Sequence, residues 1–322
     1  MLRIALILTA ILSVTFSGFS QGCSDAGFCT MGAMRPDQSY SKKFNIKPKS
    51  LELNYYKGKT TLSPVVRVIT ADMTYTINDK MAFQIKVPYQ MVKGNLGKNK
   101  GMGDISLSAS RNMGTVGDYD LNLTVGAKIP TGDASDKGEN EEFEGVVGRV
   151  PEQLPMYYQV SLGTYDFVAG ASLINDKWLF ATGIQVPVIH QNKNDFRWGK
   201  WTDYPDQDYI QEYFLANDLE RGIDVMLRAE RNFRFLNYNF SLGLLPIYRI
   251  TRDERYDFNI DERIKVDGST GLALSALASA GYQFNVSNAV KLIYGHKLME
   301  RNNNPDGLTR HSVLSFSYIY KF

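Results

Sequence analysis

The chain has 322 residues and a formal net charge of +2. That near-neutral balance leaves no electrostatic footprint for nucleic acid. Beyond the N-terminus no apolar run approaches the ~18 residues of a spanning helix, and mean hydropathy is −0.26. Spanning by strands remains open, because a barrel strand needs only ~9–11 alternating residues and keeps a modest mean hydropathy. Nineteen Tyr and 17 Phe against 3 Trp make the composition β-leaning.

Residues 1–20 read as a signal peptide. Arg3 is the positive region, Ile4 to Phe16 the apolar region, and Gly18 and Ser20 the small residues before a cleavage site at Gln21. A lipoprotein signal would instead use Cys23, although only Gly22 fits that pattern. Residues 21–48 show no sustained period and read as a periplasmic leader or a plug. Cys23 and Cys29 enclose five residues in an exported, oxidising setting, which predicts a local disulfide. The alternative is a soft-metal site with Met31 and Met34. The spacing matches no zinc pattern, so neither metal nor cofactor is expected.

From residue 49 onward, alternating runs recur between turn signals. Strands are predicted over 50–57, 65–77 and 81–90, then, past a Gly/Lys loop at 93–102, over 103–111 and 119–129. An acidic loop at 130–156 leads to strands at 161–173 and 177–189. A loop rich in Trp, Tyr and Asp precedes strands at 219–231 and 238–250. A charged loop at 251–268 leads to strands at 270–284 and 289–298, and a final strand occupies 308–322. In that last stretch Leu314, Phe316, Tyr318, Tyr320 and Phe322 share one face, as side chains of a strand alternate. An aromatic final strand of this kind resembles the closing strand of bacterial outer-membrane barrels. The resemblance implies recognition by the barrel-assembly machinery through the strand ending at Phe322.

The expected fold is therefore all-β: a transmembrane antiparallel up-and-down barrel of about twelve strands in the outer membrane. Short turns and longer loops alternate along the chain, which predicts short periplasmic turns and longer extracellular loops. One face of nearly every strand is apolar and aromatic and is expected to contact membrane lipid. The other carries mixed charges, with Lys86, Asp120, Asp166 and Arg228 as the candidate lumen residues for selectivity. Gly126, Gly163, Gly170, Gly183, Gly243, Gly281 and Gly295 lie inside strands, fitting either sheet curvature or, for some of them, a place opposite a bulky plug. Phe196, Trp198, Trp201 and Tyr204 are candidates for stacking on an aromatic or sugar ligand, or for anchoring their loop at the membrane rim.

Three short motifs are similar to those of an outer-membrane barrel family named for the meta-pathway of phenol degradation. They are Gly101-Met102-Gly103-Asp104, Lys128-Ile129-Pro130-Thr131-Gly132-Asp133, and Gln159 followed by Leu162-Gly163-Thr164-Tyr165-Asp166. The resemblance spans roughly 65–322 and implies passage of small, often aromatic, molecules. The Cys23–Cys29 segment departs from the family pattern and looks more like a Bacteroidetes-type subgroup.

Catalysis is not expected. No serine stands two residues from His296 on its face, and His190 and His311 lie near loops, so no nucleophile–base pair is visible along the chain. The leading expectation is a channel for passive passage of small solutes. The alternative is a non-conducting structural or ligand-binding barrel that acts through its long loops.

Overall fold

The computed structural model of the protein describes Met31, Met34 and residues 47–78, 80–137, 153–202, 204–307 and 310–322. Signal peptide, Cys23 and Cys29, and most of the acidic run after Asp133 fall outside the described residues. Sixteen strands are present among the described residues. β1 (Lys47–Thr60), β2 (Val65–Asn78) and β3 (Met81–Gly94) come first, then β4 (Gly97–Met102), β5 (Ile105–Val116) and β6 (Tyr119–Ile129). β7 (Thr164–Ile174), β8 (Trp178–His190), β9 (Leu219–Glu220), β10 (Asp224–Phe235) and β11 (Tyr238–Arg249) follow. β12 (Glu254–Asp257), β13 (Glu262–Lys265), β14 (Gly271–Gln283), β15 (Asn288–Met299) and β16 (Arg310–Lys321) complete the set.

Twelve antiparallel barrel strands result, because β4 and β5 together form one. β3 pairs with β4 over its loop-side half and with β5 over the other. The break at Gly103 and Asp104 is bridged by the Gly103 amide, which donates to the Pro88 carbonyl at 2.9 Å. The sheet runs from β2 through β1, β16 and β15 round to β3, and β2–β3 pairing closes it. The closing ladder between β1 and β16 extends from Ser50↔Lys321 to Thr60↔Arg310.

Two expected loops carry strand structure. Residues 93–102 continue a hairpin around Asn95 and Leu96 rather than forming an open Gly/Lys loop. Lys98 and Lys100 point outward and Gly97 and Asn99 inward, so the alternation persists beneath a loop-like composition. Within the charged loop, β12 and β13 form a hairpin that β9 joins as a third strand outside the barrel.

The wall is apolar outside. Leu53, Ile69, Val125, Leu227, Leu242, Leu292 and Leu314 are exposed there. Aromatic residues border this band. At the short-turn end Trp178 stacks on Phe180 and Tyr238 on Phe240; at the loop end stand Tyr55 and Tyr89. This is the outside of an outer-membrane barrel, apolar at mid-height and girdled by rings at both interfaces.

Leu242, 60% exposed near the middle of β11, tests the lipid-facing assignment. Leu242→Arg is expected to destabilise the barrel in lipid vesicles by about 2–4 kcal/mol, the cost of a cation at the bilayer midplane. Denaturant titration checks this, and a loss below about 0.5 kcal/mol would contradict the orientation of the wall.

Candidate functional site

Period-two alternation turns the polar residue of each pair into the barrel, and the lumen is the site it builds. Three levels are distinct from the loop end downward.

The mouth holds a network of buried ions. Arg249, 1% exposed at the end of β11, lies at its centre. Its Nε and Nη2 donate to the two carboxylate oxygens of Asp224 at 2.8 and 2.7 Å. Nη1 donates to Asp253 at 2.7 Å and Nη2 to Asp306 at 3.0 Å. Arg221 reaches Asp224 at 2.9 Å, Asp306 at 3.5 Å and Asp166 at 3.9 Å. Asp166 in turn faces Lys128 at 3.5 Å, and Lys128 pairs with Asp104 at 3.0 Å. The chain of ions therefore crosses from β10 and β11 to β6 and β7. In the loop, burial raises the Asp253 carboxyl above its ordinary range; Arg249 opposes this and Asp306 reinforces it.

The three sequence motifs meet at this level. Asp104, Lys128 and Asp166, one from each, form the ion triad. Around it the glycines allow backbone-to-backbone packing. A Cβ on Gly132 would overlap the Met102 carbonyl, and one on Gly103 would stand 3.0 Å from Pro88. Thr131 Oγ1 donates to the Gly103 carbonyl at 2.7 Å and accepts from the Ile105 amide at 3.2 Å. Gly163 takes φ +65° against the Asn192 backbone, a conformation and a clearance that favour glycine.

Over the mouth the loops fold into an apolar core. Phe196, Trp201 and Tyr204 are buried in it with Leu154, Met156, Tyr158, Ile210 and Tyr213, while Trp198 is exposed. The core rests on Tyr56, Val66, Val92 and Leu96 of the inner wall. Hydroxyls fix its position. Tyr158 Oη accepts from the Leu96 amide at 3.1 Å and lies 3.1 Å from Ser63 Oγ. Tyr209 bonds Ser63 and, at 2.7 Å, Tyr213. Burial pushes the Tyr158 hydroxyl's pKa up, so it stays protonated.

At mid-height Met31 and Met34 occupy the lumen, the latter 0% exposed. A Cβ at Gly170 or Gly183 would overlap the Met34 sulfur, and one at Gly126 would come within 2.7 Å of Met31 Cε. Three strands thus supply glycines where two methionines sit. Arg228 pairs with Glu230 and donates to the Met34 carbonyl at 3.5 Å. Lys86 lies opposite Asp72 in register, and Asp72 accepts from Gln84 at 2.9 and 2.7 Å. Asn54 bonds Ser315 and Ser317, and toward the short turns Asn112 bonds Asn122 while Lys291 is buried in the lining. Asp120 is half-buried at that end.

Of the predicted lumen residues, Asp166 and Arg228 are buried in ion pairs, one at the mouth and one beside Met34; Lys86 lies opposite Asp72, and Asp120 lies toward the short turns. Sequence reasoning missed Arg221, Asp253 and Asp306, because loop residues carry no period. A hollow of about 580 Å³ opens beside the loop-side end of β8, lined by Pro187, His190, Arg221, Ile223, Thr251 and Arg252. It lies where β10 has left β8: their ladder stops at Asp224↔Gln185, whereas β8 still pairs with β7 up to His190.

No known family profile matches the chain, and no curated protein sequence does. Among solved structures it is similar to an outer membrane channel from Pseudomonas putida F1, with 13% identity over 89% of this chain and 99% of that one, at TM-score 0.58. The NanC porin matches at 8% identity over 85% of this chain and 98% of its own, TM-score 0.42. The likeness to the channel shows the fold, an outer-membrane β-barrel, and no particular activity.

The expectation that the chain is not an enzyme is corrected by a further match. Outer membrane phospholipase A from Escherichia coli aligns at 6% identity over 86% of this chain and 99% of its own, TM-score 0.36. Barrels matched to this one thus include an enzyme, so the architecture is no ground for excluding catalysis; the likeness itself assigns no chemistry here. The argument from chain spacing also falls short. Ser312 is the cross-strand partner of His296, and His311 meets that ring edge to face at 5.4 Å, all by pairing between β15 and β16.

Arg249 tests the ionic layer. Arg249→Met leaves Asp224, Asp253 and Asp306 without their main counter-charge, and an expected loss of about 3–5 kcal/mol follows in denaturant titration. Arg249→Met combined with Asp224→Leu is expected to recover part of it; equal losses in the single and double variants would contradict a network centred on this pair.

Proposed function

We propose that the protein is an outer-membrane channel for small solutes whose lumen is closed in this state by its own N-terminal segment. The observation that carries the reading is the seating of Met31 and Met34 among Gly126, Gly170 and Gly183, inside a wall that carries buried charge beside apolar residues such as Val168 and Met226. A permanently filled barrel has no need of a glycine-lined recess for a segment outside the sheet. A segment that leaves gives the recess a use. Residues 21–46 would then act as a plug, with Arg228 beside its seat and Lys86, Asp120 and Asp166 facing the path. Motif resemblance to the meta-pathway family favours small aromatic or hydrophobic solutes, and the Cys-bearing leader favours the Bacteroidetes-type subgroup of it.

A second reading is supported by the mouth. Arg221 and Arg249 bind carboxylates from several elements at once, and the loop core above them is apolar and interlocked. Both features favour a non-conducting barrel whose loops engage a ligand.

Single-channel recordings in planar bilayers separate the two. The full chain is expected to conduct weakly, and the chain lacking 21–46 to conduct at least several-fold more. Arg228→Glu in the shortened chain is expected to shift ion selectivity toward cations. Silence in both forms, with folding shown by heat-modifiable mobility, would overturn the channel reading in favour of the second.

A further inference from the structure

The ionic layer at the mouth does not balance among the described residues. Asp104, Asp166, Asp224, Asp253 and Asp306 face Lys128, Arg221, Arg249 and Arg301, five carboxylates to four bases, with every side chain buried. Burying an unbalanced charge is costly. The missing charge has a location. Asp224, Asp253 and Asp306 each accept from Arg249, and Asp253 accepts from the Gly222 amide at 2.7 Å as well. A proton on Asp253 would balance the count, yet it would leave the oxygens at the far end of the layer as they are.

At that end four buried oxygens take part in no hydrogen bond among the described residues: Asp104 Oδ1, Thr164 Oγ1, Asp166 Oδ1 and Gln185 Oε1. Their neighbours hold them close together. Lys128 Nζ pairs with Oδ2 of Asp104 at 3.0 Å and with Oδ2 of Asp166 at 3.5 Å, so two carboxylates share one ammonium. Gln185 Nε2 donates to the same oxygen of Asp166. That bond fixes the amide, since a flipped Gln185 would set oxygen against oxygen. Thr164 stands two residues before Asp166 on the inward face of β7, 0% exposed, and Gln185 is 1% exposed. Water donates to buried oxygens of this kind but brings no charge. A cation answers both the oxygens without donors and the missing charge.

We propose that Asp104, Thr164, Asp166 and Gln185 bind a small monovalent metal cation, Na⁺, in the mouth of the barrel. Hard cations take oxygen ligands, carboxylates and amide carbonyls among them. A single positive charge balances the layer, whereas a divalent ion would leave it positive. Three of the four ligands lie in the short sequence motifs, Asp104 in Gly101-Met102-Gly103-Asp104 and Thr164 and Asp166 in Leu162-Gly163-Thr164-Tyr165-Asp166. The ion ties the start of β5 to β7 and β8. The assignment stands whether or not the lumen conducts, since it uses only the mouth.

Urea titration of the full-length barrel, folded in phosphatidylcholine vesicles, tests it in NaCl against N-methylglucamine chloride at equal ionic strength. The unfolding midpoint is expected to be higher in NaCl and to keep rising with Na⁺, because an ion that binds only the folded state adds stability by mass action. Thr164→Val removes a hydroxyl that makes no hydrogen bond in the wall, so without a bound ion it leaves the salt response unchanged. With the ion bound there, it is expected to raise the Na⁺ concentration needed for a given stabilisation by at least about threefold, the scale of one polar contact. Asp104→Asn is expected to abolish the difference between the salts; if it does not fold, Thr164→Val decides. Equal wild-type midpoints in both salts, a Na⁺ response unchanged by Thr164→Val, or a response to Ca²⁺ without one to Na⁺ would overturn the proposal.

Discussion

Everything in this structure depends on satisfying backbone hydrogen bonds where there is no water. In hydrocarbon an unpaired amide or carbonyl costs several kcal/mol, so a sheet crossing a membrane has to close on itself. The β1–β16 ladder achieves that closure, from Ser50↔Lys321 to Thr60↔Arg310. Once the sheet is closed, alternation assigns every residue to lipid or lumen. A wall that is apolar outside then delivers the charged half of each strand to an enclosed interior, where each charge needs a partner.

The lumen shows how that requirement is met. At the mouth it is met by concentration. Arg249 serves three carboxylates, Arg221 bridges toward Asp166, and the loops contribute Asp253 and Asp306 to complete the set. At mid-height space is removed from the wall itself, with glycines on β6, β7 and β8, and returned as Met31 and Met34. Near the short turns amides such as Asn112 and Asn122 pair across the strands, beside the charged Asp120 and Lys291. The most restricted part of the path lies where ions, methionines and the loop core coincide. Arg228 touches both the charged system, through Glu230, and the Met34 backbone.

The fold was largely legible because a lipid-facing wall leaves a period of two that no packing detail erases. β6 occupies the predicted limits, and β2, β8, β11 and β15 fall within a residue of them. What escaped was whatever depends on register or on loops. The 93–102 hairpin hid behind glycines and lysines, although Val92 and Leu96 face inward in alternation with the outward lysines. Two of the three carboxylates that bind Arg249, Asp253 and Asp306, come from loops and leave no periodic trace. Ser312 and His296 are neighbours only because β15 and β16 pair in one register, and chain spacing carries no such information. Met31 and Met34 were visible as residues, but their place against three distant glycines was not.

The measurement that bears most directly on a lumen occupied by the chain's own N-terminal segment is the accessibility of position 34. With Cys23 and Cys29 replaced by serine, Met34→Cys is the only thiol in the chain, and a bulky polymer-linked maleimide is too large to enter the barrel. Folded in lipid vesicles, the variant should label slowly and then react fully once the barrel is unfolded. Labelling of the folded barrel at the unfolded rate would place residue 34 outside the lumen, and the account of the plugged interior would fail with it.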